Sequence, residues 1–445
     1  NPDTSGTYRI RVARIRASGP SIGVLTFNPG GPGGAGVEII ELVHGSLPAH
    51  IRRSFDLVGW DPRGVGQSGP SLKSCQITSP QVAPTGAVDV DAYAEAVFTA
   101  VSDANSVCLR RNQAHVNNLG TWQVIRDLDA LRASLRVAKI SFWGMSYGTT
   151  VGRAYAQTFP HRLSALVLDG AIDPSPTIHS YMREHIWDDY TAVQRMLGAF
   201  GPRYVKTYLR AMRYLDKRVL RFAGGRKLTR WEFGSFLTGQ AAYQSSWREV
   251  RKFLDQVRRA LNSPNQRTAQ TGERIHQWIT EPPLDPLSQR GRPRTTTEYE
   301  PLTAFVNCSD MHDRPSPQAL AAAGQEAIGV GGVPYLLPVL FEGAACSGLP
   351  PLGRPLPGLR TTLRLTPRPI VINAIADNRT PYQGARALAN ALSRAPMIVY
   401  DGTQHVSYGR VSHCIDAPVT RYLLTLELPS ESVACPLQMP QDWRR

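Results

Sequence analysis

The chain has 445 residues, 42% of them hydrophobic and 19% charged, a composition that excludes a disordered or low-complexity protein and by length points to two or three domains. The net charge is +15, yet no apolar run approaches the roughly 20 residues that cross a bilayer, so no transmembrane segment is expected. The opening NPDTSGTYRI lacks a basic stretch followed by an apolar core, so a signal peptide, if the gene encodes one, is expected to be already removed or left out.

In chain order, Tyr8, Ile10 and Val12 alternate with Arg9 and Arg11, predicting an early antiparallel strand. GVLTFNPGGPGGAG runs from a short apolar strand into a glycine-rich loop. FDLVGWDPRGVGQSG repeats that plan. Its Gly64-Val65-Gly66-Gln67-Ser68-Gly69 fits G-x-G-x-x-G, but Pro70 follows at once, where a dinucleotide site needs a helix, so a loop is expected. TWQVIRDLDALRASL predicts a helix over 121–135, with Thr121 as N-cap and Val124, Leu128, Leu131 and Leu135 along one side. KISFWG is a strand, SYGTTVGRAYAQTF a helix and LSALVLDG another strand.

After Pro174 the alternation stops. Residues to about 365 are helical and basic, then rich in Pro and Gly (EPPLDPLSQRGRPR, SGLPPLGRPLPGL). In KTYLRAMRYLDKRVLRF, Tyr208, Leu209, Met212, Leu215, Val219 and Leu220 recur at helical spacing, with charges mostly between them. This reads as a solvated helix face over an apolar stripe. No nucleic-acid recognition motif accompanies it, so no nucleic-acid partner is expected; attraction to an anionic cell envelope is the milder alternative. Alternation then returns with RPIVINAIAD, QGARALANAL, APMIVYDG and IDAPVTRYLLTL. Strands alternating with helices predict a mostly parallel α/β sheet, interrupted by a helical cap. The expected divisions are 1–175 and 366–445 for the two parts of the core and 176–365 for the cap. There are no internal repeats.

Six cysteines, at 75, 108, 308, 346, 414 and 435, form no C-x-x-C pair, which argues against zinc or thioredoxin chemistry. Their even number and wide spacing suggest three disulfides and an oxidising compartment; six buried thiols are the alternative.

Gly144-Met145-Ser146-Tyr147-Gly148 fits G-x-S-x-G between a strand and a helix, the setting of a nucleophile elbow. Upstream, Asn28-Pro29-Gly30-Gly31-Pro32-Gly33-Gly34 follows a strand as an oxyanion loop would, and glycines let backbone N–H groups approach a carbonyl oxygen. Gly31 and Tyr147 are the candidate donors. Downstream, the strand IVINAIAD ends on Asp377, and the next leads to His405, giving the order Ser, Asp, His of an α/β-hydrolase triad. His405 would take the Ser146 proton, and Asp377 would orient the imidazole. His413, at a helix start, is the rival base; Asp401, too near His405 in sequence, is the rival acid.

NPGGPGGAG, FDLVGWDPRGVGQS, SFWGMSYGTTVGRAYAQTFPHRLSALVLDGAIDP, ADNRTPYQGARALANAL and GTQHVSYG resemble the secreted tripeptidyl aminopeptidase family of α/β-hydrolases, relatives of the prolyl aminopeptidases. The resemblance covers roughly residues 7–175 and 367–436. It implies an α/β-hydrolase fold, in which a mostly parallel sheet flanked by helices carries an inserted cap. It also implies a secreted or cell-envelope serine exopeptidase releasing tripeptides from free N-termini, with nucleophile Ser146, acid Asp377, base His405 and a glycine loop at Gly30 to Gly33. The implied disulfides are Cys75–Cys108, Cys308–Cys346 and Cys414–Cys435; no cofactor or metal is implied. Two features depart from the family: Gln404 and Val406 stand where glycines usually flank the histidine, and Asn307-Cys308-Ser309-Asp310-Met311-His312 replaces an acidic, tryptophan-containing motif. An aminopeptidase needs carboxylates for the substrate ammonium. Glu298, Glu300, Asp310 and Asp313 are candidates, with Glu300 and Asp310 named first, although each also reads as a solvated charge or helix cap. An esterase or lactonase on small esters is the competing reading, and a non-catalytic binding protein on the same scaffold the third.

Overall fold

In the computed structural model the described residues are 7–80, 85–175, 177–283, 298–311, 313–356 and 368–439. Most of EPPLDPLSQRGRPR, the end of SGLPPLGRPLPGL, the side chain of Glu298, His312, and residues 176 and 365–366 at the expected division points lie outside them.

Eight strands make one sheet: β1 (Val12–Ile15), β2 (Gly23–Asn28), β3 (Phe55–Trp60), β4 (Ile140–Met145), β5 (Leu163–Asp169), β6 (Ile370–Ala374), β7 (Met397–Tyr400) and β8 (Val433–Cys435). Their spatial order is β1-β3-β2-β4-β5-β6-β7-β8. Only the β1–β3 pairing is antiparallel. FDLVGW, ISFWGM and IVINA are buried at every position, as strands covered on both faces must be. β1 begins later than the alternation predicts, because the Arg9 and Arg11 carbonyls accept from Gly69 and Asp61 of the following turn-rich loop.

Helices cover both faces. Before β5 come α1 (Ile40–Ser46), α2 (Ala49–Ser54), α3 (Val90–Arg111), α4 (Thr121–Ser134) and α5 (Tyr147–Thr158). Between β5 and β6 lie α6 (Ile178–Phe200), α7 (Pro202–Lys217), α8 (Arg230–Ala241), α9 (Trp247–Asn262), α10 (Ala269–Thr280), α11 (Leu302–Asp310), α12 (Pro317–Gly331) and α13 (Leu336–Gly343). α14 (Tyr382–Ala391) and α15 (His413–Thr425) complete the set. Strand alternation sends Phe142 and Leu166 into one apolar layer and Trp143 and Val167 into the other. A third core belongs to α6–α10 alone in its buried members, with Met196, Tyr208, Phe233, Phe236, Trp247 and Phe253 among them. α12 and α13 instead join the layer that also holds α3.

Two sequence expectations shift. The cap of α4 is Gly120, not Thr121, whose hydroxyl is bonded to Asp310 and Tyr147 instead. α7 ends at Lys217, so Leu220 belongs to the short ladder that follows, and Leu209 is 47% exposed. The buried face of α7 is Tyr204, Thr207, Tyr208, Ala211 and Leu215.

The disulfides are Cys75–Cys108, Cys308–Cys346 and Cys414–Cys435. Cys308–Cys346 ties α11 to the turn after α13, and Cys414–Cys435 ties α15 to β8. In the loop-closure picture each is worth about 3–4 kcal/mol. No helix among the described residues is long and apolar enough to cross a membrane.

Phe253 is fully buried between Phe233, Phe236 and Trp278. Phe253→Ala is expected to destabilise the α6–α10 core by about 3–5 kcal/mol. Thermal unfolding should show it as a lowered or newly split transition.

Candidate active site

The parallel register aligns the strand ends. Asn28 pairs with Gly144, Met145 with Asp169, Ile372 with Asp169, and Ala374 with Tyr400. Chain leaving β2, β4, β5, β6 and β7 therefore emerges at one carboxyl edge, where open α/β sheets bind ligands.

Ser146 occupies the turn between β4 and α5 with φ 54° and ψ −125°, a strained conformation for a residue with a Cβ. Between Ile140 and Thr149 every residue except Ser146 is buried. The turn is tight enough that a Cβ on Gly144 would collide with the Gly148 carbonyl. The glycine loop sits directly on it: a Cβ on Gly30 would lie 2.7 Å from the Ser146 Cβ and 3.2 Å from the Tyr147 nitrogen. Gly31, next along, has φ 107°.

His405 and Asp377 meet through Nδ1 and Oδ2 at 2.8 Å. Asp377 is fully buried and also accepts from the Arg379 and Thr380 N–H groups and the Thr380 hydroxyl. Burial alone would raise its pKa. The charge and hydrogen bond of His405, with those two N–H groups, outweigh burial and hold it below the usual carboxylate range. A carboxylate that stays ionised beside Nδ1 fixes the tautomer leaving Nε2 as acceptor.

Asp169, at the end of β5, connects the two halves. Its carbonyl accepts from Ser146 N at 2.9 Å. Its fully buried carboxylate accepts from the Ser407 and Tyr408 N–H groups at 2.9–3.1 Å. Burial pushes this carboxyl up to about 6, against the pull of the N–H groups of Tyr408 and Ser407. The imidazole lies over the next residue: a Cβ on Gly170 would be 3.0 Å from its Cε1. Trp143 of β4 packs edge-on against Tyr408, ring centroids 5.2 Å apart. An acidic residue closing a central apolar strand beside the serine strand is a signal the sequence contained in LSALVLDG.

Helical residues grip the histidine loop from its other side. His405 N donates to the Ala242 carbonyl at 2.8 Å, and the Thr403 hydroxyl to that of Ala241 at 2.5 Å. Gln404 accepts from Gln244 N and donates to the His405 carbonyl, so a side chain fills a place where the resembled family has glycine. Val406 has φ 59°, a left-handed conformation that strains a β-branched residue.

Among the other candidates, Asp310 receives the N–H and hydroxyl of Thr121 at 3.2 and 2.6 Å, and the same hydroxyl contacts the Tyr147 phenol. Burial pushes Asp310 up to about 7, opposed by the Thr121 bonds and the charge of Arg153. It thus buttresses the residue after Ser146. Glu300 precedes α11, which reaches the glycine loop through the Thr303 hydroxyl on the Pro32 carbonyl. Asp313 accepts from the N–H of Ile178. His413 begins α15, and Asp401 pairs with Arg195. Among the described residues no group of three His, Cys, Asp or Glu is arranged to hold a metal ion.

Two acidic residues that the sequence reading passed over stand above this edge. Glu184 and Asp188 share one face of α6, four residues apart, both half-buried. Burial raises both, Asp188 to about 7, and the neighbouring carboxylates Asp377, Glu184 and Asp189 push Asp188 the same way. Neither forms an ion pair among the described residues. Asp189 turns inward to Asn378 Nδ2 at 2.5 Å.

The profile described as alpha/beta hydrolase fold matches residues 23–409. The chain belongs to the alpha/beta hydrolase family. It is similar to serine protease Hip1 of Mycobacterium tuberculosis, 28% identical over 469 residues that span 96% of this chain and 83% of that protein. Carboxylesterase B of the same species is 31% identical over 456 residues, spanning 96% and 82%. Tripeptidyl aminopeptidase of Streptomyces lividans is 32% identical over 189 residues, 40% of this chain and 33% of that protein.

In this alpha/beta hydrolase Val406 is buried in an apolar layer, so Val406→Ala should lose packing and keep the left-handed strain, whereas Val406→Gly loses the packing but relieves a conformation costing about 1–3 kcal/mol. The expected result, measured calorimetrically, is an alanine variant that unfolds below wild type and a glycine variant that unfolds no lower than the alanine one.

Proposed function

We propose that this chain is a secreted serine exopeptidase that removes short peptides, tripeptides in the first instance, from free N-termini through an acyl-enzyme. Ser146 attacks the scissile carbonyl, and His405 accepts its proton and passes it to the leaving amine. Asp377 holds the imidazole and stabilises the imidazolium. The N–H groups of Tyr147 and Gly31 receive the oxyanion, Tyr147 at a helix N-terminus that favours negative charge. Water then repeats the sequence on the acyl-enzyme. The family membership and the His405–Asp377 contact support the hydrolase part of this reading.

The observation that carries the peptidase part is the Glu184–Asp188 pair. Two half-buried carboxylates with no cation partner among the described residues, beside Asp377 and Asp173, form a place whose energy falls when an ammonium group enters. An ester of neutral ends has no use for them; a peptide N-terminus does. Glu184 and Asp188 thereby replace Glu300 and Asp310 as the residues assigned to the substrate amine. The resemblance to tripeptidyl aminopeptidases supports three residues as the released length. Three disulfides support an oxidising, extracellular or envelope location. The similarity to carboxylesterase B supports the second reading, hydrolysis of small esters.

Substrates separate the two. A tripeptide p-nitroanilide with a free amine should be cleaved and its N-acetylated form should not; turnover of p-nitrophenyl esters alone would establish the esterase instead. A fluorophosphonate should label the protein at Ser146, and Ser146→Ala should abolish both labelling and turnover.

Removing the carboxylates acts on binding. Glu184→Gln with Asp188→Asn should raise KM for the free-amine substrate about tenfold or more, since a hydrogen-bonded charge is worth about 1.5–3 kcal/mol. Asp188, titrating near 7, must be ionised to attract an ammonium. KM should therefore rise as pH falls through about 7, and this dependence should vanish in Asp188→Asn. An unchanged KM would reject the assignment.

A further inference from the structure

The charge of this chain is unevenly placed. Between Arg203 and Arg267 stand sixteen Arg and Lys against four Asp and Glu, in a chain whose whole net charge is +15. Within that segment α7 carries Arg203, Lys206, Arg210, Arg213 and Lys217 at successive spacings of three and four, so the five follow one face for about 20 Å at 1.5 Å per residue. All five are exposed. Like charges at such spacing repel along a helix. α9 shows the usual remedy, with Lys252 paired to Glu249 and Arg258 to Asp255. Among the described residues, of these five cations only Arg203 pairs with a carboxylate, the same Asp255. Arg210 bonds the neutral Asn262 amide and Leu261 carbonyl. Lys206, Arg213 and Lys217 form no ion pair among the described residues.

The stripe also borders a concavity. A cavity of about 370 Å³ lies between α7 and α9, lined by Arg203, Lys206, Arg210 and Arg258 with Thr207 and Asn262. Four cations thus line the groove beside Leu261, Arg203 and Arg258 sharing Asp255, and no aromatic residue is among the lining. α9 begins just after the segment that grips His405 and reaches this groove at its far end, about 20 Å along its axis.

We propose that the α7–α9 groove and the cationic stripe beyond it bind linear polyphosphate, a polymer carrying a negative charge on every repeat. A groove that opens onto a line of charges admits a flexible chain along its whole length, whereas a flat bilayer can meet the stripe but cannot enter the groove. The absence of aromatic lining suits recognition of backbone charge, without the stacking that single-stranded nucleic acids use. Bound this way, the enzyme is held on an anionic polymer while its catalytic edge stays free.

The test measures anisotropy of fluorescent inorganic polyphosphate titrated with the full chain and with Lys206→Glu/Arg213→Glu/Lys217→Glu, over a series of salt concentrations. The wild type should bind, with log K falling linearly in log salt. The variant should bind roughly tenfold more weakly or worse, with a slope shallower by about 2, as loss of three contacts at about 0.7 each requires. Its turnover of a small chromogenic substrate and its unfolding midpoint should match wild type. Single-stranded DNA of equal charge should bind no tighter than polyphosphate, and vesicles with anionic headgroups should bind less. Absence of binding at low salt, equal binding by the variant, tighter binding of DNA, or binding to vesicles alone would each overturn the proposal.

Discussion

Asp169 closes the central strand with a carbonyl that receives Ser146 N and a carboxylate that receives the N–H groups of Ser407 and Tyr408. The turn bearing the serine and the loop bearing the histidine come from chain segments more than 250 residues apart, and neither is regular structure. A buried carboxylate without partners would be strongly destabilising. Meeting that requirement with two consecutive N–H groups of the histidine loop makes the loop's placement a condition of folding. The strained Ser146 and Val406 persist because surrounding bonds over-determine them.

The same loop is held from the helical side by Ala241, Ala242 and Gln244. The loop bearing Asp377 is likewise held, through Asn378 to Asp189 of α6 and to the Thr238 carbonyl. The helices between β5 and β6 therefore do more than roof the site. α6 carries Glu184 and Asp188 and, through Asp189, touches the residue next to Asp377. A displacement of α6 or of the α8–α9 junction would disturb the Glu184–Asp188 face and the Asp377–His405 pair together, so these elements are expected to move as part of the core.

Electrostatics divide the molecule by sign. Carboxylates collect around the carboxyl edge, where burial raises Asp169, Asp188, Asp189 and Asp310. Cations collect on the outer faces of α7 and α9. Long-range fields of both signs thus act on one chain at different places, the acidic one at the carboxyl edge and the basic one about a helix length away.

Much of the fold was legible because its signals are local. Buried parallel strands read as apolar runs, and the strand–turn–helix around Ser146 reads from ten residues. The order of Ser146, Asp377 and His405 follows from counting strands, since each residue simply ends one. The pairing of six cysteines was left open by spacing and became definite through family resemblance and then through the structure. Thr121 and Leu209 depart from the local pattern because a cap and an apolar stripe depend on neighbours from elsewhere in the chain, Asp310 and Tyr147 in the first case, open solvent in the second. The sheet, the tight turn at Ser146 and the chain order of Ser146, Asp377 and His405 are readable from the chain alone, because those depend on residues near one another along it. Which carboxylates gather near Asp377 is visible only in the folded molecule. Glu184 and Asp188 on a helix look like any solvated pair until that helix lies over Asp377, and Asp310 looks like a free anion until Thr121 takes both its oxygens. Burial and the field of distant charges, absent from any short window of sequence, make that difference.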